Sequence, residues 1–206
     1  MSRDDDEIVN NAYAFVAMGN RQYQLGELEG AQQSYIKAVD ILRTASRWVV
    51  EYSDVVEGLG DINRELGHYE KAIACYKSAW GDDHLKIGHV YYEDLKDYIK
   101  ASEIYLNLLF VSDGIFNSSA AFNLANMAWK GEGQHQSLIN ALMWMQVALL
   151  MNPNSDEFLN AMGKLRSEMN AQDIESALQL CNDYIKKRSK DIEELKRNDP
   201  WRDVSM

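Results

Sequence analysis

The stretch Gly19-Asn20-Arg21-Gln22-Tyr23-Gln24-Leu25-Gly26-Glu27-Leu28-Glu29-Gly30-Ala31-Gln32-Gln33-Ser34-Tyr35-Ile36-Lys37-Ala38 decides the fold, because its small residues and its tyrosine return between Gly60 and Ala79. Gly19, Gly26, Ala31, Tyr35 and Ala38 reappear as Gly60, Gly67, Ala72, Tyr76 and Ala79, each 41 residues later. Self-similarity at a fixed period marks stacked supersecondary units. Each residue type suits its place in a helix hairpin. Gly19 and Gly60 lack side chains where two antiparallel helices must approach closely. Gly26 and Gly67 close the first helix, where a left-handed cap is needed. Ala31 and Ala72 are small where helix meets helix, Tyr35 and Tyr76 fill the space beside them, and Ala38 and Ala79 begin contact with the next unit.

This spacing resembles the tetratricopeptide (TPR) repeat. That family's period is about 34 residues, so roughly seven are extra here; they fall in Ile41 to Trp48, as a lengthened second helix or a longer link. A third unit keeps Tyr92, Tyr98, Ala101 and Tyr105, but Lys96 replaces the helix-closing glycine and Leu108 stands where an alanine is expected. A fourth stretch, Asn123-Leu124-Ala125-Asn126-Met127-Ala128-Trp129-Lys130-Gly131-Glu132-Gly133, precedes Ala141, Trp144 and Ala148. It resembles the Sel1-like repeat, a TPR relative, with a GxG turn and a loop from Gln134 to Ser137. Ala128 replaces that pattern's usual tyrosine and Ser137 its frequent aspartate. After Asn152-Pro153-Asn154, Phe158, Met162 and Leu165 share a helical face. Asn170 is placed as an N-cap, with Asp173 three residues on. Met169 to Tyr184 resembles the closing helix that follows Sel1 repeats in bacterial proteins.

The resemblance implies an all-α, right-handed α-solenoid of antiparallel helix hairpins with a C-terminal capping helix. One repeat domain is expected over 1–188, with units at about 8–45, 50–81, 84–112 and 118–152 and a closing pair at 155–188. A charged tail, 189–206, is broken by Pro200, and the end from Lys186 onward is expected to fray or project.

Composition agrees with a helical reading. Only Pro153 and Pro200 occur in 206 residues, which disfavours a turn-rich sandwich. Thirty-two acidic against 21 basic residues give a formal charge of -11. That balance repels nucleic acid and anionic bilayers and suits a basic protein partner, or simply keeps the protein soluble. Cys75 and Cys181 form no CxxC and no disulfide framework. The charged start lacks a signal-peptide core, no apolar run reaches a membrane span, and a cytoplasmic location is expected.

The sequence offers no catalytic constellation. His68, His84, His89 and His135 form no HxxxH or HExxH pair. Gly58-Leu59-Gly60 and Gly131-Glu132-Gly133 complete no GxGxxG and read as repeat glycines. Cys75 reads as a half-buried structural thiol. No enzyme activity, cofactor or metal is expected.

In such solenoids the first helix of each repeat lines the concave face. The resemblance places this lining on Tyr13, Val16, Asn20 and Tyr23 in unit one, and on Asp54, Glu57, Asp61, Arg64 and Glu65 in unit two. Unit three contributes Lys86, Val90, Glu93 and Asp94, and unit four Phe122, Asn126 and Trp129. Acids with aromatic shoulders fit a basic or amphipathic protein segment, although they would equally suit a solvated helix face. Trp129 is read either as packing beneath the GxG turn or as a partner anchor. Charge reversal at Glu57, Asp61 and Glu65 is expected to abolish binding with little change in stability. The implied function is a non-catalytic protein-binding module: a dedicated chaperone, an immunity protein or an adaptor. The alternative is a self-assembling scaffold subunit, against which the charged ends argue; a monomer or weak homo-oligomer is expected.

Overall fold

The computed structural model describes residues 3–44, 50–111 and 115–197. Ten α-helices and one π-helical turn, with no strand, occur among them: α1 (Arg3–Gln24), α2 (Leu28–Leu42), α3 (Val50–Glu65), α4 (Tyr69–Trp80), α5 (Leu85–His89), the π turn (Val90–Asp94), α6 (Tyr98–Val111), α7 (Ile115–Lys130), α8 (Leu138–Met151), α9 (Asp156–Ser167) and α10 (Ala171–Arg197). The protein is all-α and built of helix hairpins. It divides into two compact units, residues 1–104 and 105–206, with the border inside α6.

In the first unit α1 packs on α2, α2 on α3 and α3 on α4. A Cβ at Gly19 would lie 2.6 Å from the Tyr35 ring, and one at Gly60 2.6 Å from the Tyr76 ring. The glycines are therefore the space the tyrosines occupy. Gly58 faces the opposite edge of Tyr35, where an added Cβ would lie 2.5 Å from Cε1, so this ring is held by its own hairpin and by the next. Each tyrosine also donates a hydrogen bond to the residue after its glycine: Tyr35 to Asn20 Oδ1 at 2.6 Å and Tyr76 to Asp61 Oδ1 at 2.8 Å. Ala31, Ala38 and Ala72 are fully buried. Val9, Ala12, Ala38, Val39, Leu42, Val55 and Val56 form the core joining the first two hairpins, with Ala79 packed against it.

Gly26 and Gly67 adopt φ of +78° and +74°. After them the Glu27 and His68 amides reach back to the carbonyls of Gln22 and Asn63, as a left-handed helix ending requires. The third hairpin performs the same turn with a lysine: Lys96 takes φ +55° and is the one non-glycine residue at positive φ among those described. Ahead of it the π turn adds one residue, and the Asp97 amide bonds to Tyr91 O, six back instead of five. Gly88, eight residues ahead of Lys96 where Gly19 and Gly60 stand seven ahead of their caps, is buried. Val90, placed on the partner-facing lining by the resemblance, is fully buried with Ala72, Ile73, Tyr76 and Ile87; the inserted residue turns it inward.

Of the expected insertion at Ile41 to Trp48, α2 ends at Leu42 and the Thr44 amide closes a turn on Ile41 O; residues 45–49 lie outside those described.

In the second unit α7 packs on α8, and α8 on α9 and α10. Gly131 and Gly133 both have positive φ between α7 and α8. Ser137 does the capping for which aspartate was expected, accepting from the Asn140 amide at 3.2 Å. Asn170 accepts from the Asp173 amide at 2.9 Å, and its own amide group donates to the Asp173 carboxylate at 2.8 Å. Ala128, Ala141, Leu142, Leu165 and Ala177 form the core. The helix does not fray at Lys186: α10 continues to Arg197, since no proline or glycine interrupts it before Pro200.

Candidate functional site

The first helices of the three hairpins in the first unit lie side by side on one face, α3 in the middle. Between α3 and α5 the acids are already paired. Lys86 Nζ lies 2.6 Å from Glu57 Oε1 and 2.7 Å from Asp61 Oδ2, and stands 5.6 Å from the Tyr76 ring centroid. Trp80 Nε1 donates to the other oxygen of Glu57. Burial works against the Glu57 charge, but Lys86 and Trp80 outweigh it and hold the carboxyl below its ordinary value. Arg64 places Nε 2.6 Å from Asp94 Oδ2 and Nη2 2.6 Å from Glu93 Oε2. Both acids come from the π turn, whose geometry brings two consecutive side chains to one guanidinium.

Between α1 and α3 the arrangement differs. Tyr13 and Tyr23 of α1 are 45% and 40% exposed. Burial, then the charges of Glu51 and Asp54, raise the Tyr13 phenol above its ordinary value. Tyr23 donates to Glu65 Oε1, and that bond is the first cause of its own raised pKa. Asp54 and Glu65 have no cation at ion-pair distance among the described residues, where Arg64 and Lys86 are taken by other acids. An open pocket of about 540 Å³ is lined by Tyr23, Asp61, Arg64, Glu65, Tyr69 and Asp94. A second, of about 200 Å³, adjoins it through Tyr23 and Asp61 and is lined also by Asn20, Tyr35, Gly58 and Ile62.

The structure thus brings Asn20, Tyr23, Glu57, Asp61, Glu65 and Glu93 together on one face, with Tyr13 and Asp54 farther along the α1 and α3 helices. Three of them also have structural duties: Asn20 and Asp61 receive the packing tyrosines, and Asp61 and Glu57 hold Lys86. The expectation that reversing Glu57, Asp61 and Glu65 together leaves stability unchanged is therefore corrected, since two of the three would set lysines against Lys86.

Phe122, Asn126 and Trp129 lie on α7 in the second unit. Phe122 stacks on the buried Phe158 ring at 4.5 Å. Trp129 packs against the Ala128, Leu142 and Leu165 core and donates from Nε1 to Glu168 at 3.1 Å. Asn126 is half-buried.

Sequence reasoning missed Trp80, Tyr69 and His84 as neighbours of this face. The His84 ring stacks on Trp80 at 6.2 Å and 19°. Only the stacking of α4 and α5 beside α3 brings them in, and no spacing within one helix signals that. Cys75 is half-buried, and burial raises its thiol pKa against the pull of Arg43. No cluster of His, Cys, Asp and Glu suited to a metal occurs among the described residues, and no helix there is long and apolar enough to cross a membrane.

The tetratricopeptide repeat model matches residues 55–79, most of α3 and nearly all of α4. A search of curated proteins returns no match to the chain. The match covers the hairpin that holds Gly60, Gly67, Ala72, Tyr76 and Ala79, and the first hairpin repeats those positions 41 residues earlier. Residues 55–79 are thus similar to a tetratricopeptide repeat, within a chain built of helix hairpins.

Proposed function

We propose that the protein is a non-catalytic binding module whose α1–α3 seam receives a basic or amphipathic segment of a partner protein. Tetratricopeptide repeats generally mediate protein–protein interaction. The observation that carries the finer reading is the unequal distribution of cations on the face. Lys86 and Arg64 satisfy the acids between α3 and α5, whereas Asp54 and Glu65 stand uncompensated beside the exposed Tyr13 and Tyr23. Carboxylates next to exposed aromatic faces attract ammonium and guanidinium groups by charge and by cation–π contact. The formal charge of -11 adds long-range steering. A dedicated chaperone, an immunity protein or an adaptor, acting in the cytoplasm, would use such a face, and we assign the second unit to the Sel1-like branch of the repeat.

Affinity capture with the tagged protein, repeated at high salt, tests this. Recovery of a basic protein that is lost at high salt and is not captured by Asp54→Lys/Glu65→Lys supports the reading. Equal capture by that variant overturns it, and recovery of this chain alone would favour self-assembly instead.

A further inference from the structure

We propose that binding at this face is acid-labile: His84 and His89, on the segment that also supplies Lys86, Glu93 and Asp94, add positive charge on protonation to the α3–α5 network beside the α1–α3 seam, and so weaken the attraction of the whole face for a cationic partner. The inference rests on the basic-segment reading above and adds the regulation of that same site.

The geometry places the His84 imidazole beside the network, and His89 follows on the same segment. His84 lies against Trp80 and, at 6.3 Å, against Tyr76, both from α4. The charged groups acting on it are Glu57 and Asp61 of α3 and Lys86 of its own helix. His89 is half-buried, and the charges acting on it are those of Glu93 and Asp94 of the π turn, Arg64 of α3 and His84. From α6, Lys100 sits over the Tyr91 ring at 5.1 Å. Four carboxylates, Glu57, Asp61, Glu93 and Asp94, meet two cations, Lys86 and Arg64, in this network. With neutral imidazoles two negative charges remain, and two protonations cancel them.

Burial, the first cause at both sites, holds the two imidazoles below the ordinary histidine value. They are neutral at pH 7 and gain charge below the free-histidine range of about 6.5. A depressed histidine pKa favours the fold in full above the unfolded value, and this contribution declines as pH falls from the unfolded toward the lower folded value. By linkage, a bound cation depresses both values further. Glu57, held below its ordinary value, keeps its charge through this window.

The probe is a rhodamine-labelled amphipathic lysine–leucine peptide, titrated with the full chain at constant ionic strength. The expected result is an affinity about tenfold lower at about pH 5.5 than at about pH 7.5. His84→Gln/His89→Gln should bind like wild type at the higher pH and lose most of the fall. An undiminished fall in the double variant, or no fall in wild type, overturns the proposal while leaving the basic-segment reading intact. Absence of binding by wild type at the higher pH overturns both. Proton NMR of the wild-type imidazoles adds a test without partner or variant: titration of both histidines at or above the free value overturns the acid switch alone. Should the double variant lose helicity, each single variant must remove part of the fall.

Discussion

The two seams flanking α3 both carry acids, in opposite states. Between α3 and α5, Glu57, Asp61, Glu93 and Asp94 are tied by Lys86 and Arg64. Between α1 and α3, Asp54 and Glu65 have no cation at ion-pair distance among the described residues, and α1 brings Tyr13 and Tyr23 where α5 brings a lysine. The lesson is that the charge of a repeat face is a property of pairs of helices. An acid on α3 is structural or available depending on the residue presented across the seam.

The comparison can be broken or sharpened by substitution. The largest effect is expected where both seams share support. Gly60→Val puts side-chain atoms into the fully buried Tyr76 ring, 2.6 Å from the position of an added Cβ. It should cost about 3 kcal/mol or more, read from chemical denaturation. Next, Glu57→Lys sets two ammonium groups together in the closed seam and strands Trp80 Nε1. A loss of about 2 kcal/mol, or about 4–8 °C in Tm by calorimetry, is expected after discounting for partial exposure. In the open seam, Asp54→Lys/Glu65→Lys should change stability by no more than about 0.5–1 kcal/mol. A drop as large as that of Glu57→Lys would erase the distinction between the seams. The smallest effect is expected at Lys96→Gly, which relieves a left-handed lysine and should raise stability by about 0.5–1 kcal/mol. A fall in Tm there would mean that the lysine side chain contributes more than its backbone strain costs.

What was legible in the sequence follows from the same distinction. Gly19 with Tyr35 and Gly60 with Tyr76 were readable because a missing side chain and a large ring at fixed spacing within one hairpin report a single packed volume. Lys96 was recognised as occupying the cap position, but the π turn ahead of it was not. That turn inserts one residue and carries Val90 from the expected lining into the core. Asp61 and Glu65, which the resemblance puts on the lining, both border the open pocket beside α3. The pairing on this face was not legible, since Arg64 with Asp94 and Lys86 with Glu57 depend on the register between helices separated by a whole intervening helix. In the second unit, the stacking of Phe122 on Phe158 likewise joins residues 36 apart that no repeat position links.

Tyr35 has a kinetic consequence. Its ring is gripped by Gly19 in its own hairpin and by Gly58 in the next, and its hydroxyl is anchored on Asn20. In a repeat array, cooperativity is set by nearest-neighbour coupling. Opening the second hairpin therefore exposes one edge of a ring that the first hairpin needs to stay packed. Amide protons of α1 through α4 should then exchange with solvent as one block, with similar protection. Tyr35→Ala should split that block into two hairpins that open separately.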